Sequence, residues 1–516
     1  MVRQYIGARY TTKIYENSLD HSSAEWESGV IYEPLTLVTY NSSSYISKKN
    51  VPATVGNPAA NADYWTLTGA YNGQILQLQN QINDINAINF VAASSFSGAD
   101  DTAVLQAALD ASAAVLMDRD FNIGTVNITH PVKLNLGGNT LTATTNEDNA
   151  INIISGNVEI FNGIIDTTVD NPDNADNYGA CIYLQNKPAY INPPIVDNIK
   201  LHDLKTITNG AIAIALCGEV RNSEVYNIEF DGSNGANTNV NAGLNLEWHG
   251  DHNICTYHPH NISVRNIYFH DYITTNAVGI RNSGVFNVVF ENIRGKNANY
   301  GIIMYAGDYA GSAAPADYQD FVNTGIVIRN YVSYDVKVPV RFTGDANFST
   351  SRISALIEGL RGECTSPDST YQGIRGVYTK DTVIRDCILD NFNNGISLTS
   401  ENNGLIVENS TFKNMKTFGM NIVGDSVQIK GNKVFNTNTD EATGTGTNTS
   451  SINLSGKYGK IIGNELALGT SEHAVNAVRI VSGSDDIIFV DNVINAGKVL
   501  NITTYIDDNN IDLTTP

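Results

Sequence analysis

The densest set of groups able to move protons or hold a sugar is Leu246-Glu247-Trp248-His249-Gly250-Asp251-His252-Asn253-Ile254-Cys255-Thr256-Tyr257-His258-Pro259-His260. Five of the nine histidines lie between His249 and His270, with Asp231 and Asp271 flanking the segment. Breaking a glycosidic bond takes two carboxyl groups, about 5–5.5 Å apart for retention or about 6.5–9.5 Å for inversion. Glu247 with Asp251, or Glu247 with a carboxylate one coil away, can meet either distance. His249 joins them as the third candidate catalytic residue, and Trp248 offers an aromatic face to sugar C–H groups. His249, His252 and His258 could instead bind a metal, but they lack HExxH spacing and a cysteine pair, so neither a metal nor another cofactor is expected. Hydrogen bonding inside an ordered loop is the plainer fate of each histidine. The pair Asp485-Asp486 lies far from Glu247 and completes no second hydrolase signature.

Around this segment, from about residue 195 to 500, the chain repeats a short strand pattern. It reads Val264-Arg265-Asn266-Ile267, Phe290-Glu291-Asn292-Ile293, Ile328-Arg329-Asn330-Tyr331, Ile384-Arg385-Asp386-Cys387, Val407-Glu408-Asn409-Ser410 and Val490-Asp491-Asn492-Val493. Asp386, Asn409 and Asn432 follow one another at 23-residue steps (409 − 386 and 432 − 409). Strands this short cannot form a core alone, so the period predicts an all-β solenoid whose coils stack on one another. A second alignment sets Gly243-Leu244-Asn245-Leu246 against Gly279-Ile280-Arg281-Asn282, Gly301-Ile302-Ile303-Met304, Pro339-Val340-Arg341-Phe342 and Gly373-Ile374-Arg375-Gly376. Alternate side chains face opposite ways, so the aliphatic column points inward. Asn245, Arg281, Ile303, Arg341 and Arg375 then share a wetted outer face, with Tyr305 beside them. As a site, these arginines would hold carboxylates or hydroxyls of a glycan, or one would act as base in a uronate lyase. As plain surface, they would pair weakly with nearby carboxylates.

Composition narrows the partners. The net charge of −22 excludes a nucleic-acid binder, which needs clustered Lys and Arg, and suits neither an anionic membrane surface nor insertion. No run approaches 18 apolar residues, and Met1-Val2-Arg3-Gln4-Tyr5-Ile6-Gly7 has no signal-peptide core. The five scattered cysteines read as buried thiols made in a reducing cytoplasm. The expectation is cytoplasmic assembly followed by work outside the cell.

Three segments precede or begin the repeat. Residues 1–70 carry Trp26, Tyr45 and Trp65 among short strands and read as a small antiparallel β-module. In residues 71–92, Ile75, Leu78, Ile82 and Ile85 form a two-heptad seam, a short helical coiled-coil linker that needs partner helices. Near 101–112, Asp101 or Thr102 caps a helix with Val104, Leu105, Ala108 and Leu109 on one face. The domains expected are thus 1–70, 71–92, a solenoid over 93–500, and a polar tail over 501–516.

The order Trp26, Gly29, Tyr32, Val38, Tyr40, Tyr45, Pro58, Tyr64-Trp65 resembles small chitin-binding-like modules, which implies sugar stacking by Trp26, Tyr45 and Trp65. Opened by Tyr5-Ile6-Gly7-Ala8-Arg9-Tyr10, the same string resembles N-terminal modules of phage tail proteins. The run Gly98-Ala99-Asp100-Asp101-Thr102, with Gln106, resembles the helix-capped start of pectate-lyase-like right-handed parallel β-helices. The whole arrangement resembles a bacteriophage tailspike or receptor-binding protein. That resemblance implies a virion-bound homotrimer, joined to other tail proteins through its N-terminal region, which grips a bacterial surface polysaccharide and in some cases cuts it. A binding-only adhesin and a polysaccharide lyase are the alternatives.

Overall fold

The computed structural model describes residues 26–34, 36–41, 43–70, 90–144, 149–167, 180–184, 195–208, 212–233, 242–251, 254–305, 323–343, 353–437, 439, 450–467, 476–481, 483–495, 505–508 and 510–512. The chain divides into two compact units, Met1–Asn89 and Phe90–Pro516. The seam at residues 75–85 lies outside the described residues.

In the first unit, strands Leu37–Tyr40, Ser43–Ser47 and Trp65–Ala70 form an antiparallel meander. Val38, Val51 and Trp65 are its core, with Trp26, Tyr32, Tyr45 and Tyr64 packed around them. Trp65 is only 2 % exposed and meets Tyr32 edge-on at 5.3 Å. In so small a unit the largest ring is needed for burial, so Trp65 is core and offers no face to a sugar. Trp26 and Tyr45 are half-buried.

The second unit is a parallel β-helix. Its strands form one sheet of 37 members in which the described pairings are parallel. One coil shows the plan. Strand Phe286–Tyr305 pairs with Ile326–Thr343 in three stretches, broken at Asn292 and Asn297, which both have positive φ. Each coil therefore has three faces: a second face (Val289–Glu291 here), a third (Ile293–Lys296) and a first (Ala298–Tyr305). On the first face Leu244, Ile280, Ile302, Val340, Ile374, Ile396, Met420, Ile452 and Val478 stand in register, and every one is fully buried. The inner column expected from alternation is the core.

The recurring asparagine has a backbone cause. Asn266, Asn292, Asn330, Gly359, Asp386, Asn409, Gly431, Gly463 and Asp491 stack at one corner, with φ between 50 and 71°. Asn, Asp and Gly are the residues that reach this left-handed region cheaply. The register corrects two positions. Glu408 lies opposite Lys430, so Gly431, not Asn432, follows Asn409 at the corner. Likewise Asp491, not Asn492, holds the corner. A one-residue slip turns a side chain to the other face, and Asn432 and Asn492 are in fact buried inside.

Helix Asp101–Ala111 closes the first coil, with Asp100 as the N-cap accepting from Ala103 N at 2.9 Å. The cap is one residue earlier than expected because Asp101 and Thr102 serve the open strand edge. Asp101 accepts from Asn122 N, Thr102 from Gly124 N, and Gln106 bonds both N and O of Asn127. These side chains satisfy backbone groups that would otherwise face no strand. At the other end the sheet runs on through Tyr505–Asp508 and Ile511–Asp512, so the expected polar tail from 501 instead contributes a further coil.

The second face carries an unbroken external column. Phe161, His202 and Tyr226 stack at 5.0 and 4.5 Å, and Arg265 lies over Tyr226 at 4.4 Å. The column continues as Glu291, Arg329, Glu358, Arg385, Glu408 and Lys430, alternating in sign. His202 bonds Glu159 at 3.1 Å and Asp203 at 2.7 Å. The His202 hydrogen bond, with Lys133, pulls the Glu159 carboxyl down to about 2 against its burial. Burial opposes charge on His202, but its two carboxylate partners outweigh that and raise its pKa. Glu159 therefore stabilises the fold above about pH 4.3 and loses this as pH falls towards 2. His202 contributes fully below about pH 6.5 and loses this as pH rises through its raised value. His202→Phe keeps the stack, so urea midpoints from pH 5 to 9 should lose their alkaline decline. An unchanged slope would refute the assignment.

Candidate functional site

The segment predicted to hold chemistry begins at the end of a first-face strand, Ala242–Glu247. His249–Asp251 and Ile254–Tyr257 then form a separate antiparallel hairpin, an excursion from the coil. The side chains of His249 and Asp251 lie outside the described residues. Glu247 is half-buried and accepts from Asn245 Nδ2 at 2.9 Å. His258 is buried, with Nδ1 2.7 Å from Gly284 O, and its carbonyl is 3.0 Å from His260 Nδ1. Those two histidines bond the loop backbone.

The register sets Asn245, Arg281, Ile303, Arg341 and Arg375 on successive coils. Much of this column is not wetted, which corrects the expectation of an open strip. Asn245 is 0 % and Ile303 1 % exposed, Arg281 and Arg341 are half-buried, and Arg375 alone of the five is exposed. Arg281 lies over Tyr305 at 4.9 Å and Arg341 over Tyr300 at 4.8 Å. Trp248, at 8 % exposure, packs against Gly284. Its ring is covered, so it supplies no stacking platform. Upstream in the same outer column, Tyr183, Ala215 and Cys217 belong to a small apolar cluster. These outward residues are themselves buried, which alternation cannot reveal.

The third face carries a different set of outer side chains. Along its outer side run Lys205, Glu229, Tyr268, Arg294, Val332 and Arg361, one per coil. Beside them run Asp231, His270, Lys296, Tyr334 and Glu363. At one end Lys205 Nζ lies 2.7 Å from Glu229 and 3.1 Å from Asp231. His270 approaches Glu229 at 3.3 Å and Asp271 at 2.7 Å. Ligand atoms of Glu229, Asp231 and His270 fall within 4.8 Å of one another, as a cation site would require. The Lys205 ammonium already bonds both carboxylates, so an ion would have to displace it. The hydrogen bond from Lys205 is the main cause of the lowered Glu229 pKa. Asp231 is also lowered: burial works against it, and bonds from Ser233 and Lys205 prevail. Two carboxyls both held ionised provide no general acid, which needs a raised pKa.

Next to this cluster the face opens into a groove lined by Asn266, Tyr268, Asn292, Arg294, Asn330 and Val332. Val332 is 47 % and Tyr334 41 % exposed. The corner asparagines bond one another, Nδ2 to Oδ1, at 3.2 Å from Asn292 to Asn266 and 3.3 Å from Asn330 to Asn292. Each amide keeps a second N–H for a ligand hydroxyl. The pattern Val-Arg-Asn-Ile was visible in the sequence. The exposure of the residues after the asparagine was not, because coil register decides it.

The fold is shared with known structures at low sequence identity. The tailspike protein of E. coli bacteriophage HK620, in a mutant form bound to a hexasaccharide, matches with a TM-score of 0.52 and 12 % identity. The match covers 81 % of this chain and 79 % of that one. The catalytic unit of a GH87 α-1,3-glucanase from Streptomyces thermodiastaticus gives 0.48 and 12 %, covering 78 % and 68 %. The Streptococcus pneumoniae surface adhesin PfbA gives 0.43 and 12 %, covering 82 % and 91 %. No protein-family model matches the sequence, and no curated protein does. Among the described residues no helix is long and apolar enough to cross a membrane.

Proposed function

We propose that the chain is a phage tailspike or receptor-binding protein that holds bacterial surface polysaccharide along the third face of its β-helix. The observation that carries this reading is the open groove, where an aromatic ring, an exposed apolar residue and a ladder of half-used amides lie in line. Sugars present C–H faces for rings and hydroxyls for amides, and an extended chain matches a site that repeats each coil. The hexasaccharide complex of the HK620 tailspike, whose fold is similar, supports the same ligand class. In this reading the protein works as a homotrimer on the virion, attached through residues 1–70. In this reading binding is the primary act. The test is binding of the purified chain to fixed host cells. Tyr268→Ala should weaken it about tenfold, the value of roughly 1.4 kcal/mol of lost stacking. Undiminished binding would remove the groove from the reading.

Depolymerisation is the second reading, favoured by the fully buried Asn245, which holds Glu247 while its own Oδ1 has no hydrogen-bond partner among the described residues. Buried polar atoms are rarely left so without a cause in chemistry or bound water. Reducing ends or unsaturated uronate released from host polysaccharide, and lost in Glu247→Gln and Asp251→Asn, would establish it. Release that survives both variants would sink that site.

A further inference from the structure

Among the described residues, three cations on the third face have no ionic partner. Lys205, Lys413 and Lys433 on the same face are paired with Glu229, Asp390 and Glu465. Arg294, Lys296 and Arg361 are exposed, and among the described residues none has a carboxylate within ion-pair distance. In a chain of net charge −22 carboxylates are plentiful, so three adjacent free cations are not a shortage of partners. They frame the groove. Arg294 lies between Tyr268 and Val332 in register, Arg361 follows Val332, and Lys296 lies opposite Tyr334. Arg294 and Arg361 are two coils apart, about 10 Å at the ordinary strand spacing, comparable to a disaccharide repeat. An exposed carboxylate, Glu363, follows Tyr334 in the neighbouring column. At the Glu229–Asp231 end Lys205 offsets one of the two carboxylate charges.

We propose that the groove takes an acidic glycan, with Arg294, Lys296 and Arg361 receiving the anionic groups of successive repeats while Tyr268 and the corner asparagines hold the sugar rings. This rests on the third face being the glycan-binding flank. Guanidinium forks suit both carboxylate and phosphate, so the shared chemistry is an oxyanion presented at a repeat along an extended chain. The contacts are exposed, so salt should weaken them.

The experiment is calorimetric titration of the full chain with two sets of oligosaccharides. One is a panel of uronate-bearing bacterial capsular oligosaccharides, each matched to its carboxyl-reduced neutral form. The other is a phosphodiester-bearing cell-wall oligosaccharide matched to its dephosphorylated form. The expected result is that the acidic member of one pair binds at least tenfold more tightly than its neutral partner, with the preference fading at 0.5 M salt. The pair that shows it names the anion. The triple substitution Arg294→Ala, Lys296→Ala, Arg361→Ala should erase that preference, so that the acidic and neutral members of the pair bind within about twofold of each other. Equal binding of acidic and neutral forms would overturn the charge inference and leave glycan binding standing. Binding of neither form would overturn both. A triple variant that keeps the preference, or one that instead dissociates an oligomer in sedimentation, would reassign the patch and also overturn the proposal.

Discussion

Asn464→Ala is expected to destabilise the β-helix by about 3 kcal/mol or more, far beyond the loss of one exposed amide. Asn464 is 1 % exposed and belongs to a ladder inside the solenoid. Each member's Oδ1 accepts the backbone N–H of the member before it, from Ser410 through Asn432, Asn464 and Asn492 to Asn510. Asn464 Nδ2 donates to Ile429 O at 3.0 Å and to Asn492 Oδ1 at 2.9 Å. Alanine would strand the Asn432 N–H and the Ile429 carbonyl in the dry interior, at about 1–3 kcal/mol each. Urea unfolding should show the loss, and hydrogen exchange should place the opening in the coils on either side, since coils contact only their neighbours. Asn330→Ala, at an exposed corner with φ 55°, should cost only about 1–2 kcal/mol of backbone strain. Equal costs for the two variants would show that the buried ladder carries no special weight.

Gly395→Ala is expected to destabilise the first face strongly although it adds a single methyl. A Cβ there would sit 2.5 Å from the Gly419 carbonyl oxygen of the next coil and 2.6 Å from Phe412 Cδ1. Neither backbone nor the Phe412 ring, fully buried, can yield without disturbing its coil. Overpacking of this kind costs about 1–3 kcal/mol, and more when the clash is with backbone. The expected result is a lower thermal midpoint with unchanged far-ultraviolet circular dichroism. Gly463 provides the contrast. Its φ is 64° and nothing lies within 4 Å of a Cβ, so Gly463→Asn should be almost silent, as asparagine already serves the same corner in other coils. A Gly395→Ala midpoint equal to wild type would mean that the coils stand further apart than the register indicates.

The two substitutions also mark how far the sequence could be read. Period-two alternation located the inner column Leu244–Ile280–Ile302–Val340–Ile374 and, with it, the parallel stack, because burial on one side of a strand writes itself directly into residue type. The left-handed corner was legible as a recurring Asn or Asp, since few other residues accept that backbone. Both signals are local. Asn432 and Asn492 were assigned to the corner because buried and exposed asparagines look alike until a coil is registered on its neighbour. Trp65 and Trp248 were assigned to sugar because an aromatic carries no mark of whether something covers it.

What the sequence determined by itself is the repeating coil: which residues turn inward, which turn the corner, and that the product is an all-β solenoid closed by a helix at Asp101–Ala111. Tertiary structure decided which of three outer faces is open. On the first face Tyr183, Ala215 and Cys217 form an outward apolar cluster, ion pairs line the second, and on the third the described residues leave a groove beside exposed Val332 and Tyr334. Exposure depends on residues brought together across coils tens of positions apart, and neither residue spacing nor period records that distance.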